Sequence, residues 1–233
     1  MTIRRKKGIK KIFYALEDCI YMANNKVSDS IRCSRPIKMM FSSYGFRSPI
    51  IREKYAKVIK QDETLKKKSC MIIPFAGFNT EKTYESEKGG LIEFGFDPSM
   101  ISLLDKDHIP FYVPDYIYVP GGDPFKLLSN INEYVLRSEV RLRVLTYKSV
   151  YIGVSAGAYV ACPDIEYVKH LEDDNVIHED YSALGLVQNS IVCHSDHYSY
   201  SQIKSCENVS GKEVISIRDD QLVCYRNGKI EYV

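Results

Sequence analysis

Ser155 lies between two glycines in YIGVSAGAYVACP (residues 151–163), so that Gly153, Ser155 and Gly157 form a GxSxG pattern directly after an apolar run. A serine hydroxyl becomes a nucleophile only when a base takes its proton and the chain holds it clear of its surroundings. A strand running into the serine, followed by Ala156, Gly157 and Ala158 at a helix start, is what a nucleophile elbow requires. The turn strains the serine backbone, and a side chain at either glycine collides with neighbouring strands. The amide of Ala156, at the helix N-terminus, then faces a developing negative oxygen. Without chemistry, the same residues make a small-residue strand-to-helix turn.

A second loop, VPGGDPF (residues 119–125), follows the run YIYV. Asp123 and Pro124 read as an N-cap and a first helical residue, which leaves the amides of Gly121 and Gly122 bare beside a strand end. Two such amides can supply the other half of an oxyanion hole. A phosphate cradle is the competing use, but GGDP lacks the Lys-Ser/Thr of a P-loop, and Asp123 repels phosphate.

The base must come from five histidines. His108, His170 and His178 sit in polar, loop-like surroundings. His194 ends the apolar run SIVCH, and a strand there delivers it to the same carboxyl edge as Ser155. His197, three residues later, is the rival, or lines the substrate-binding site together with Asp123. An acceptor must hold the imidazole tautomer and stabilise the imidazolium. Asp219 and Asp220 follow the apolar run VISI, and either can serve. The order serine, histidine, late aspartate disfavours an α/β-hydrolase, which places its acid between the other two. Asp164, Asp173, Asp174 and Asp180 do lie in that interval.

The elements that position these residues are short apolar, β-rich runs at residues 38–42, 69–74, 116–119 and 150–154. They alternate with stretches of helical periodicity at residues 51–67, 82–94, 125–128 with its continuation, and 134–148. Buried parallel strands alternating with helices predict an α/β fold with a doubly wound, mostly parallel sheet flanked by helices. Its chemistry belongs at the carboxyl ends of the strands. At the C-terminal end, Asn227 and Gly228 separate two strand-like runs and predict a type I′ β-hairpin.

Composition agrees: 233 residues, a net charge of +2 and 45% hydrophobic residues describe a globular chain able to bury a full core without staples. The seven cysteines are scattered and never spaced CxxC, which disfavours a disulfide scaffold or a structural zinc site and fits reduced thiols in a cytoplasm. The basic N-terminal run is followed by Glu17 and Asp18, so an export signal or a membrane span is not expected. Ile9, Phe13, Leu16 and Ile20 predict an amphipathic helix over residues 8–24, docked on its own domain or on a second subunit in a homodimer. The near-neutral chain offers no wider basic surface for nucleic acid. No metal or organic cofactor is called for.

YIYVPGGDPFKLL, IGVSAGAYVACPDI, LGLVQNSIVCH and ISIRDDQLVCYRNGK together resemble the S51 peptidases, the dipeptidase E (aspartyl dipeptidase) group, over residues 37–233. Residues 1–36 form a basic N-terminal extension outside the likeness. The resemblance implies a class I glutamine amidotransferase-like α/β domain. It implies Ser155 as nucleophile, His194 as base and Asp219 as the best match for the acid. The oxyanion hole maps to the amides of Ala156 and of Gly121 or Gly122. The reaction implied is hydrolysis of a small peptide through an acyl-enzyme. A non-catalytic ligand- or protein-binding member of the fold, and an esterase or amidase, are the alternative readings. Asp123 and Pro124 stand where the family has Asn and Thr, and the added charge disfavours an acidic substrate residue.

Overall fold

The computed structural model describes residues 38–104, 109–110, 112–133, 136–172 and 178–233. The expected helix over residues 8–24 and the boundary at residue 36 lie outside the described residues, as do Cys19, Cys33, His108, Asp173 and Asp174. Among the described residues, no helix is long and apolar enough to cross a membrane.

Five strands run parallel in the main sheet: β1 (Lys38–Ser42), β2 (Cys70–Ile72), β3 (Ile101–Leu103), β4 (Tyr116–Val119) and β5 (Val150–Val154). A separate parallel pair is formed by β6 (Ser190–Val192) and β7 (Val214–Ser216). The last two strands, β8 (Leu222–Arg226) and β9 (Lys229–Tyr232), add to the main sheet antiparallel, giving the order β3-β2-β4-β5-β1-β8-β9. Asn227 and Gly228 turn between them at φ 49° and 83°, the left-handed conformation that a type I′ hairpin needs.

Alternate side chains of each strand enter opposite cores. Met39, Phe41, Ile117, Val119 and Tyr151 face one, and Met40, Tyr118 and Ile152 the other. The second face is covered by α1 (Pro49–Val58), through Ile51 and Tyr55, and by α2 (Thr80–Phe94), through Leu91 and Phe94. The first is covered by α3 (Pro124–Glu133), α4 (Leu136–Arg141) and the short α5 (Ala156–Tyr159). Each fully buried large apolar side chain contributes about 1.5–3 kcal/mol relative to exposure. Both faces of the sheet are therefore committed to core, and the strand ends are left for chemistry.

Three local expectations are corrected, and one strand was not expected. The helical stretch 51–67 ends at Val58, because Asp62 accepts from the Thr64 amide at 2.9 Å and starts a separate turn, Leu65–Lys67, that buries Leu65. Within the expected helix 134–148, the described residues form α4 followed by a widened π turn, Leu142–Thr146, that carries the buried Arg143. Strand β3, three residues at a sheet edge, was too short to stand out by periodicity. The run ending at His194 is a strand, but it belongs to the β6–β7 pair and not to the sheet that carries Ser155.

Candidate active site

The elbow forms at the end of β5. Ser155 has φ 48° and ψ −109°, outside the comfortable regions for an L-residue, and its amide donates to Ser42 O at 2.9 Å. Strain of this kind, of order 1–3 kcal/mol, persists only where packing over-determines it. Glycine supplies that packing. A Cβ on Gly157 would lie 2.0 Å from Val119 O, and one on Gly153 would lie 2.6 Å from Gly157 O. Tyr151 donates its hydroxyl to Gly157 O at 2.6 Å and pins the turn from below.

The loop after β4 lies against the elbow: a Cβ on Gly121 would be 3.2 Å from Ser155 Cβ. Gly122 has φ 136° and packs on the Ala76 backbone, to whose oxygen the Asp123 amide donates at 3.1 Å. Asp123 Oδ1 accepts from the amides of Phe125 and Lys126, both at 2.9 Å, and so caps α3.

The imidazole and its carboxylate arrive on the β6–β7 unit. Parallel strands need a crossover, here α6 (Tyr200–Ser210), started by a Ser199–Gln202 capping box. Because the strands are parallel, the segments beyond their carboxyl ends emerge on the same side: His194 after β6 and Asp219 after β7. His194 Nδ1 is 2.6 Å from Asp219 Oδ1, and its Nε2 is 3.3 Å from Ser155 Oγ. His197 Nε2 is 2.9 Å from the other oxygen, Asp219 Oδ2. Asp220 instead points outward and accepts from Arg218 Nε at 3.2 Å, which holds its carboxyl below the usual range.

The remaining candidates lie elsewhere. His170 is exposed at the end of a 3-10 turn, and His178 packs near the rings of Phe125 and Tyr181. Of the acids between serine and histidine, Asp164 pairs with Lys212 Nζ at 3.1 Å, and Asp180 caps the Ser182 amide at 2.8 Å.

Three contributors carried no readable signal in the sequence. Ser43, buried just past β1, accepts from the His194 amide at 2.8 Å and donates to Ile217 O at 3.1 Å, joining three chain segments at the site. His194 is thereby held at φ 54°, and Tyr44 presents its ring to the imidazole edge-on, with centroids 5.1 Å apart. Glu172 is the third: burial, reinforced by the charge of Asp123, pushes its carboxyl up to about 7. Burial also pushes the Cys193 thiol well up, so this neighbour of His194 stays protonated.

The Glu172 shift has a sign that can be tested. The folded chain holds this proton more tightly than the unfolded chain, so stability present below the unfolded value, 4.5, falls as pH rises towards about 7. Glu172→Gln should match the parent near about pH 4 and exceed it by about 1–2 kcal/mol near about pH 8. That is less than the full linkage value, because the group is partly exposed. Denaturant melts at both pH values check this; equal stability at the higher pH contradicts it.

The chain is similar to known proteins. The profile of peptidase family S51 matches residues 45–233. "Uncharacterized peptidase Lin0382" of Listeria innocua is 27% identical over 196 residues, covering 73% of this chain and 90% of the relative. A "Peptidase E" of Nostoc sp. is 32% identical over 101 residues, 42% of this chain and 41% of that protein. A crystal structure of a candidate Peptidase E protein from Listeria monocytogenes EGD-e superimposes with a TM-score of 0.67 at 20% identity, over 85% of this chain and 98% of that one. The same α/β fold is therefore present in both.

Proposed function

The chain belongs to peptidase family S51 and is a serine-type peptidase, and from that premise we propose that it hydrolyses short peptides through Ser155, His194 and Asp219. The observation that carries this reading is the unbroken line from Ser155 Oγ through both nitrogens of His194 to Asp219 Oδ1, at 3.3 and 2.6 Å.

In the proposed reaction, His194 Nε2 takes the hydroxyl proton as Ser155 Oγ attacks the peptide carbonyl. Asp219 accepts from Nδ1–H, keeps the Nε2 lone pair directed at the serine and stabilises the imidazolium that forms. The amides of Ala156 and of Gly121 or Gly122 receive the oxyanion of the tetrahedral intermediate. Collapse of that intermediate breaks the C–N bond, and the proton on Nε2 passes to the leaving amine. Water then enters, gives a proton to Nε2 and attacks the acyl-enzyme. The acid leaves, and the proton returns to Ser155.

Asp123, on the loop packed against the elbow, lies close enough to Glu172 for its charge to add to burial in raising the Glu172 carboxyl. An acidic side chain entering this region meets like charge in a partly desolvated space. A panel of dipeptides differing only in the N-terminal residue tests both levels of the reading. Neutral or basic N-terminal residues should exceed Asp in kcat/KM by about tenfold or more, the rate equivalent of about 1.4 kcal/mol. A preference for N-terminal Asp contradicts the role of the carboxyl pair, and turnover of esters but of no peptide contradicts the peptidase assignment to short peptides.

A further inference from the structure

We propose that Asp219, with the imidazoles of His194 and His197 on its two oxygens, binds a borderline divalent transition metal, zinc in particular, and that the bound ion arrests hydrolysis. The arrest, though not the binding, rests on His194 acting as the general base.

Peptide hydrolysis uses one oxygen of Asp219. The other oxygen is 2.9 Å from His197 Nε2, a contact that no step of proton transfer requires. The two imidazoles lie 5.7 Å apart, centroid to centroid, at 29° between planes, and the carboxylate bridges them with one oxygen on each. One ligand atom from each of His194, His197 and Asp219 lies within 4.8 Å of the other two. A zinc ion with N and O ligands at about 2.0–2.2 Å brings neighbouring ligand atoms to about 3.3 Å of one another. The two hydrogen-bonded contacts, 2.6 and 2.9 Å, lengthen to that distance as the ion takes the place of their protons, and the closer approach of the imidazoles falls mainly on His197, which is the most exposed of the three and sits on the three-residue turn Ser195–His197.

Ligand type selects the ion. Two imidazole nitrogens and one carboxylate suit zinc, nickel or copper, whereas calcium and magnesium demand shells built mainly of oxygen. Three protein ligands leave a fourth tetrahedral position for water.

The consequence for His194 follows from proton counting. A metal at Nδ1 occupies the lone pair there, so the single ring proton moves through solvent to Nε2. The ring neither gains nor loses a proton, and Asp219 stays ionised. Nε2 then presents N–H to Ser155 and has no lone pair to accept the hydroxyl proton.

Zinc alone is the probe, applied to the full chain. In a Ser155→Ala background, competition against a chromophoric chelator should show one more bound zinc than in the same chain carrying His197→Asn. Cobalt at that site should show visible d–d bands without a thiolate charge-transfer band. In kinetics, zinc should slow the parent at least tenfold at a concentration that slows His197→Asn less than twofold relative to its own metal-free rate, and chelator should restore the parent. Equal zinc binding with and without His197, equal inhibition of the two chains, or a thiolate band assigning the metal to cysteine overturns the proposal. A parent chain that hydrolyses nothing contradicts the catalytic reading alone, because the binding measurement needs no turnover.

Discussion

Ser155→Ala is expected to lower kcat by about a thousandfold or more, while the melting temperature stays within about 2 °C of the parent. The asymmetry follows from what Oγ does. It faces His194 Nε2 at 3.3 Å, whereas the elbow is held by main-chain contacts: Ser155 N to Ser42 O, and Ala158 N and Tyr159 N to Ser155 O. Alanine keeps the Cβ and every one of those bonds. The electrophile then has no partner, and groups acting as a unit lose nearly the whole effect when one is removed. Steady-state rates on the best dipeptide, with a thermal melt alongside, check both halves. A variant that retains more than about a tenth of the parental kcat contradicts the assignment.

Asp219→Asn is the second large effect, a fall in kcat of about a hundredfold to ten-thousandfold with KM little changed. The amide keeps the shape of the carboxylate but removes its charge. Its NH2 group can face His194 Nδ1 as a donor, which favours the tautomer whose Nε2 carries hydrogen. Both contacts of Asp219 are affected, since His197 shares the same side chain. Asp220→Asn is the matched control. Asp220 is exposed and paired with Arg218, so its loss should change kcat less than twofold. Equal effects at the two positions contradict the placement of Asp219 on the imidazole.

How much of this was legible in the sequence varied with the range of the interaction concerned. β5 and its turn could be read because the apolar run, the two glycines and the serine are contiguous, and the φ of 48° at Ser155 is the strain that the pattern implies. The capping of α3 by Asp123 is equally local. His194 could be read as the end of an apolar run, but its membership of a separate strand pair could not, because a strand of three buried residues looks the same in either sheet. The choice between Asp219 and Asp220 also depended on which side chain turns inward after β7. Ser43 was invisible for a different reason: its bond to the His194 amide spans 151 positions, and a serine after a strand has no mark that distinguishes it. The raised carboxyl of Glu172 comes from burial, which no local pattern encodes.

The ordered contact between a strained serine and a carboxylate-backed imidazole is tested most directly by a fluorophosphonate, which reacts with a serine only when its hydroxyl is activated. Peptide mapping by mass spectrometry should find one adduct, on Ser155, in the parent, and a rate of modification lowered about a hundredfold or more in His194→Ala. A folded parent that takes no label, or one labelled at the same rate without His194, would contradict the account.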